Sequence, residues 1–255
     1  MATKIFKWIS GLTIALSILT PTFAFAALGI NADVKANVNV GANFCTNLSS
    51  VSSGITARLT MAQGSLDSRQ QQRNTNVADR ESKRAQALVD LRAKQDAERA
   101  AIYAKLDAKA TTTAESQALV QFKVSMDAAL TVRRAAVDAA MATYWASLKN
   151  VLSSRQTAVQ TARQNLTASL NAAVTTAQAS CSDGTAPATV RATFAASVKA
   201  AVAQFATDRR AIDKAGPQIK ALAQTRNAAV KAAMDAFHSA AESARVELKA
   251  AFSAS

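Results

Sequence analysis

Between Leu119 and Cys181 the chain reads LVQFKVSMDAALTVRRAAVDAAMATYWASLKNVLSSRQTAVQTARQNLTASLNAAVTTAQASC. Three rows run through its first half in steps of eleven. They are Leu119, Leu130, Met141 and Leu152; Met126, Val137, Leu148 and Val159; Phe122, Arg133, Tyr144 and Arg155. Eleven residues make almost three full helical turns, so each row stays on one side of an α-helix. The stripe continues, with one slip in phase, through Leu166, Leu170, Ala173 or Val174, Ala177 and Cys181. Neither Gly nor Pro occurs from Thr111 to Ser182. The spacing predicts one unbroken helix over about 113–181. An eleven-residue period implies a nearly straight or slightly right-handed association, unlike a left-handed heptad coil.

Two further helical stretches flank this one. Upstream, Leu48, Val51, Ile55, Leu59, Ala62 and Leu66, then Leu88, Leu91, Ile102 and Leu106, keep helical spacing over about 44–110, with Gly54 and Gly64 as weak points. Thr111, Thr112 and Thr113 end that stretch, and Thr112 with Glu115 has the form of a capping box opening the next helix. Downstream of Ser182-Asp183-Gly184, Thr185 is a candidate cap and Pro187 suits a first turn. The row Val190, Phe194, Val198, Val202, Phe205, Ile212, Ile219, Leu222, Val230, Met234, Phe237, Leu248 and Phe252 then extends to about 253. Gly216-Pro217 interrupts it, which predicts a kink or short break.

The two cysteines give an independent check on this layout. Cys45 and Cys181 lie at equal sequence distances from residue 113, inside the Thr-rich reversal. Equal helices folded there would bring the two cysteines level, so a structural Cys45–Cys181 disulfide is expected. In that register residue i of the first helix faces 226 − i of the second and i + 142 of the third. Leu48, Val51 and Ile55 then meet Leu170, Val174, Val190, Phe194 and Val198 at the Cys end. Ile102, Tyr103 and Leu106 meet Leu119, Phe122, Leu248 and Phe252 at the far end. The expected fold is all-α: an elongated antiparallel up-down-up three-helix bundle or coiled coil. Its Ala-rich helices, of ~65 residues, would each be ~100 Å long.

Composition limits what such a chain can do. Its 255 residues carry 30 Lys+Arg against 17 Asp+Glu, with 61 Ala, 7 Gly, 3 Pro, 2 Cys and a single His. Two Cys and one His are too few for a Cys/His zinc site, and His238 has no second imidazole to work with. No Gly-rich phosphate loop or Gly-x-Ser-x-Gly turn is present. The chain therefore reads as non-enzymatic, with no catalytic residue, metal or cofactor expected.

Residues 1–26 read as a secretory signal: Lys4 and Lys7, an apolar run from Trp8 to Thr20, then Pro21 and Ala24-Phe25-Ala26, with cleavage expected after Ala26. Export to the periplasm, cell surface or medium follows, where the two thiols are expected to oxidise. Residues 27–43 alternate apolar and polar side chains, the pattern of an extended or disordered segment.

Two regions carry functional hints. Asp67 to Ala87 is almost wholly polar, and the register sets it beside Tyr144, Trp145 and Gly216-Pro217. Arg69, Arg73, Arg80, Arg84, Tyr144, Trp145, Gly216 and Pro217 therefore form a candidate mid-rod interaction region, read alternatively as a solvated waist. From Arg191 to Lys231, eight bases stand against Asp208 and Asp213. Arg191, Lys199, Arg209, Arg210, Lys214, Lys220, Arg226 and Lys231 form a candidate anion-binding face. Aromatics interleaved for base stacking are absent, so specific nucleic-acid recognition is not expected.

The segment Arg133 to Met141 also matches Arg226 to Met234 at seven of nine positions. In composition alone the chain is similar to secreted basic helical holdase chaperones, a likeness that rests on no diagnostic residue. The expected role is a structural spacer, scaffold or interaction module of the cell envelope. The alternative is a basic protein that binds an anionic cell-surface polymer, a membrane surface, another envelope protein or unfolded clients.

Overall fold

The computed structural model describes residues 43–253, so the signal segment and all but the last residue of 27–43 lie outside the described residues. The described chain is all-helical, with three long helices packed together. They are α1 (Phe44–Asp107), α2 (Thr113–Ser182) and a third made of two pieces, α3 (Pro187–Ala211) and α4 (Ala215–Ser253). At 1.5 Å per residue α1 and α2 are each ~100 Å long.

The first reversal is fixed by side-chain chemistry. Thr112 Oγ1 accepts from the Glu115 backbone N–H at 3.1 Å. Glu115 Oε2 accepts in turn from the N–H groups of Thr112 and Thr111, at 2.9 and 2.7 Å. Three N-terminal donors that would otherwise be orphaned are thus satisfied. These bonds hold the Glu115 carboxyl below the usual range, the Thr112 N–H contributing most. The second reversal is a Schellman motif. The Thr185 N–H reaches the Ser180 carbonyl at 3.1 Å and the Gly184 N–H reaches Cys181 at 3.3 Å. Gly184 takes φ +74°, the left-handed conformation that this motif demands and that favours glycine. Ala186, and not Thr185, sits at the N-cap of α3, because Pro187 occupies the first helical position and its φ suits that place.

The interruption of the third helix lies at 212–214, one turn before Gly216-Pro217. The cause is steric. A proline ring collides with the carbonyl four residues earlier, here Asp213, and offers no N–H to it. The helix therefore stops upstream of the proline and restarts at Ala215, with Pro217 in the new first turn. Gly54 and Gly64 do not break α1, which is also helical throughout 67–87.

Cys45 and Cys181 form a disulfide with Cα atoms 5.7 Å apart. Farther along, α1 meets α2 through Glu81–Lys149, Arg92–Asp138, Asp96–Arg134, Arg99–Asp127 and Asp107–Lys123 ion pairs. Higher numbers on α1 meet lower numbers on α2, so the two helices run antiparallel. Arg99–Asp127 keeps the register implied by the disulfide, and the other four pairs share one common offset of about a turn from it.

Core density is uneven along this length. The main apolar cluster is at the disulfide end, where Phe44, Leu48, Val51 and Ile55 pack with Leu166, Leu170, Val174, Val190, Phe194 and Val198. A second cluster at mid-length gathers Tyr144, Trp145, Leu148, Ala215 and Ile219, with Val77 against it. The apolar far-end cluster expected from sequence is thinner: Leu119 is fully buried, whereas Ile102 is 45% exposed. Leu106, Leu248 and Phe252 instead line an open groove with Lys109, Arg245 and Lys249. The reason is that α2 packs more closely on α3 and α4 than on α1. Small Ala side chains let the first set of axes approach, while long Arg side chains hold α1 off.

Candidate functional site

All twelve residues of the three eleven-step rows on α2 are buried or half-buried, which shows which face of α2 points inward. The inward face of α1 is also built in elevens: Arg73, Arg84, Gln95 and Leu106; Val77, Leu88 and Arg99; Glu81, Arg92 and Tyr103. Most of these are polar. Leu91 and Val89, by contrast, are 48% and 59% exposed. The interface between α1 and its neighbours beyond the disulfide end is therefore mostly polar, with Arg73, Arg84, Arg92 and Arg99 prominent in it. This polar inward stripe was missed by reading Leu and Ile as the core marker. The signal that finds it is the eleven-residue spacing of Arg73 and Arg84, the same spacing that marks α2.

In the far half these arginines meet acids. Arg92 makes a two-pronged contact to Asp138 at 2.7 and 3.0 Å. Asp96 accepts from Arg134 at 2.5 and 2.9 Å and from Arg99 at 2.6 Å. The two guanidinium groups, Arg134 first, pull the Asp96 carboxyl down to about 2. Tyr103 donates to Asp127 at 3.2 Å, and desolvation followed by the Asp127 charge pushes its phenol up to about 12.

The two similar segments noted in the sequence lie side by side and antiparallel. Arg133 stands over the Phe237 ring at 4.4 Å, and Arg226 stands over the Tyr144 ring at 4.6 Å. Each segment supplies an arginine and, eleven residues later, an aromatic: Arg133 with Tyr144, Arg226 with Phe237. The likeness thus has a structural correlate, a reciprocal cation–π exchange between α2 and α4.

The candidate mid-rod residues divide by face. Arg69 and Arg80 are exposed, while Arg73 and Arg84 are half-buried. Tyr144 and Trp145 are 3% and 8% exposed and in edge-on contact, so both rings belong to the interior. Gly216 and Pro217 form the first turn of α4. Beside them a cleft of about 550 Å³ opens at the helix break, lined by Arg155, Asn165, Asp208, Asp213, Ala215 and Gln218 among others.

The candidate anion-binding residues also divide. Lys199, Arg210, Lys214, Lys220 and Lys231 are exposed, Arg191 and Arg209 half-buried, and Arg226 is buried at 8% exposure. Lys199 and Arg210 on α3, and Lys220 and Lys231 on α4, are each separated by three turns and so share a side of their own helix. Lys231 is held by Asp235 at 2.5 Å.

Among the described residues no group of three or more His, Cys, Asp or Glu is placed to hold a metal ion. No described helix is long and apolar enough to cross a membrane. The chain matches no protein-family model, and no characterised protein or solved structure is significantly similar to it.

Proposed function

We propose that the chain is an exported, non-enzymatic structural rod that acts as a spacer, scaffold or interaction module of the cell envelope. In this reading residues 1–26 direct export and are removed, and residues 27–43 form an extended lead-in. The remainder is an elongated antiparallel three-helix bundle that goes up, down and up again. The observation that carries the reading is the continuity of the α1–α2 contact. A disulfide at one tip and ion pairs out to Asp107–Lys123 near the other pin two helices over their full length. The disulfide is compatible with an oxidising, exported location.

The test is small-angle scattering of the oxidised protein together with fractionation of the cells that make it. The rod gives a maximum dimension of ~100 Å and is recovered outside the cytoplasm. A dimension near that of a globule, or recovery with the cytoplasm, ends this reading.

The exposed row of Lys199, Arg210, Lys214, Lys220 and Lys231 favours a second reading, a basic protein for anionic polymer, membrane surfaces or unfolded clients. Its signature is binding to a sulfated polyanion or acidic vesicles that falls steeply with salt. A rod acting only as a spacer binds neither.

A further inference from the structure

Inward arginines differ along this molecule. In the far half Arg92, Arg99 and Arg134 each contact an aspartate, and Arg133 stands over the Phe237 ring. Those of the middle, Arg73, Arg84, Arg155 and Arg226, make no ion pair with any described residue. In the register set by the disulfide Arg84 is level with Arg226, and Arg73 lies within two residues of the level of Arg155. Burial, then the Arg155 charge, lowers the Arg73 pKa; burial, then the Arg226 charge, lowers that of Arg84. Arg226 is more than nine-tenths buried, and its Nη1 has no hydrogen-bond partner. The Nε atoms of Arg73, Arg155 and the ion-paired Arg134 are likewise buried without one, so the unpartnered terminal Nη1 of Arg226 is the distinguishing feature.

A guanidinium cannot relieve such a position by losing its proton, because arginine stays protonated in proteins. The acids nearby are engaged elsewhere. Glu81 pairs with Lys149, and Asp67 accepts from Gln63 while facing Arg163. Asp208 and Asp213 accept from the neutral amides of Gln204 and Gln218, but they lie on the cleft wall beside Arg155, eleven residues along α2 from the Tyr144 that carries Arg226. Arg226 reaches only a neutral acceptor, Asn227 Oδ1, at 2.8 and 3.1 Å. The ring of Tyr144 beneath it fixes the guanidinium plane without cancelling its charge. Like charges crowded into a partly desolvated interior are costly unless a counter-charge joins them.

We propose that Arg84 and Arg226 bind a small multiply charged oxyanion of the phosphate or sulfate class between the helices. A tetrahedral oxyanion accepts from two forks at once, the arrangement in which arginine surpasses lysine. This interior site is separate from the exposed lysines of α3 and α4, and it stands whether or not the molecule serves as a spacer.

The test is equilibrium dialysis of the oxidised protein against inorganic phosphate, with ionic strength held constant by chloride. Saturable binding is expected. Arg84→Gln and Arg226→Gln should each weaken it about tenfold or more, the worth of a charge-assisted hydrogen bond. Lys94→Gln and Lys105→Gln, which remove the same charge from exposed positions, should leave it within about twofold. Should Arg226→Gln fail to fold, Arg84→Gln and the wild-type melting temperature still decide the matter. Phosphate should raise the wild-type value at fixed ionic strength and raise that of Arg84→Gln far less. Absence of saturable binding, or equal weakening by interior and exposed variants, overturns the proposal. Displacement of bound phosphate by phosphatidylglycerol vesicles would place the site on the surface and overturn it equally.

Discussion

Removing the Cys45–Cys181 link should have an effect far larger than its single covalent bond suggests. The bridge spans a sequence separation of 136 residues. Closing a loop of that length removes unfolded-state entropy equivalent to ~5 kcal/mol at 25 °C. For a chain of this size each kcal/mol moves the melting temperature by ~2–4 °C, so reduction should lower it by roughly 10–20 °C. The loss should not be spread evenly. Helix α1 has its one extensive apolar contact at the disulfide end, through Phe44, Leu48, Val51 and Ile55. Beyond Leu59 its inward face is mostly polar, so α1 depends on this anchor more than α2, α3 or α4 do. Hydrogen exchange on oxidised and reduced protein, or on Cys45→Ser with Cys181→Ser, resolves the difference by helix. Protection should fall first in 44–66 and spread along α1, while 160–177 of α2 keeps its protection against α3. A melting shift below about 3 °C, or equal loss of protection in all helices, would refute this account of how α1 is held.

Other outcomes follow from single residues. Asp96 has its carboxyl pulled from 3.8 down to about 2 by Arg134 and Arg99, so its contribution is complete above the unfolded value and is lost as pH falls toward about 2. Amide protection around 92–103 should therefore decline between pH about 4 and about 2, and Asp96→Asn should flatten that part of the profile; an unchanged profile rejects the assignment. Leu170, at 0% exposure, should cost ~2–5 kcal/mol when cut to Ala, measured by urea unfolding, whereas Leu91→Ala should change stability by less than ~0.5 kcal/mol. Pro217→Ala restores an N–H for the Asp213 carbonyl and removes the ring clash, so exchange of the amides of 213–216 should slow as α3 and α4 join; unchanged exchange there would mean another cause for the break.

The sequence made the second helix and the pinning of the first to it legible for one reason: both carry their information in spacing. The eleven-step rows of α2 identify an inward face even where the residue is Arg133 or Arg155, because position along the repeat does not depend on hydrophobicity. The cysteines mark level points on two helices folded at Thr112. What stayed hidden was the inward face of α1. There Leu91 and Ile102 looked like core residues, yet they are exposed, and Arg73, Arg84 and Arg92 turn inward. Hydropathy assigns a face correctly only where burial is driven by apolar area. Where two helices are joined through guanidinium and carboxylate groups, the inward side is the polar one. The position of the break was hidden for a related reason, since the effect of a proline falls on the turn before it.

This division explains how a chain with 61 Ala among 255 residues holds three helices in one register. Alanine buries little area per residue, so a helix made of it gains contact chiefly by coming close to its neighbour. Close approach is what α2 achieves with α3 and α4. Such contact discriminates poorly between registers, because one Ala resembles the next. Register must then come from the less common side chains: the disulfide, the Arg133–Phe237 and Tyr144–Arg226 exchange, and the Arg–Asp pairs of the far half. All of these recur at eleven-residue intervals or are placed at matching levels, so a shift by one turn would break several of them together. The mid-length arginines obey the same spacing but lack the matching acids. At the level of Arg84 and Arg226 the pattern is kept while its counter-charge is missing, and this is why an anion from solution is the partner that would complete it.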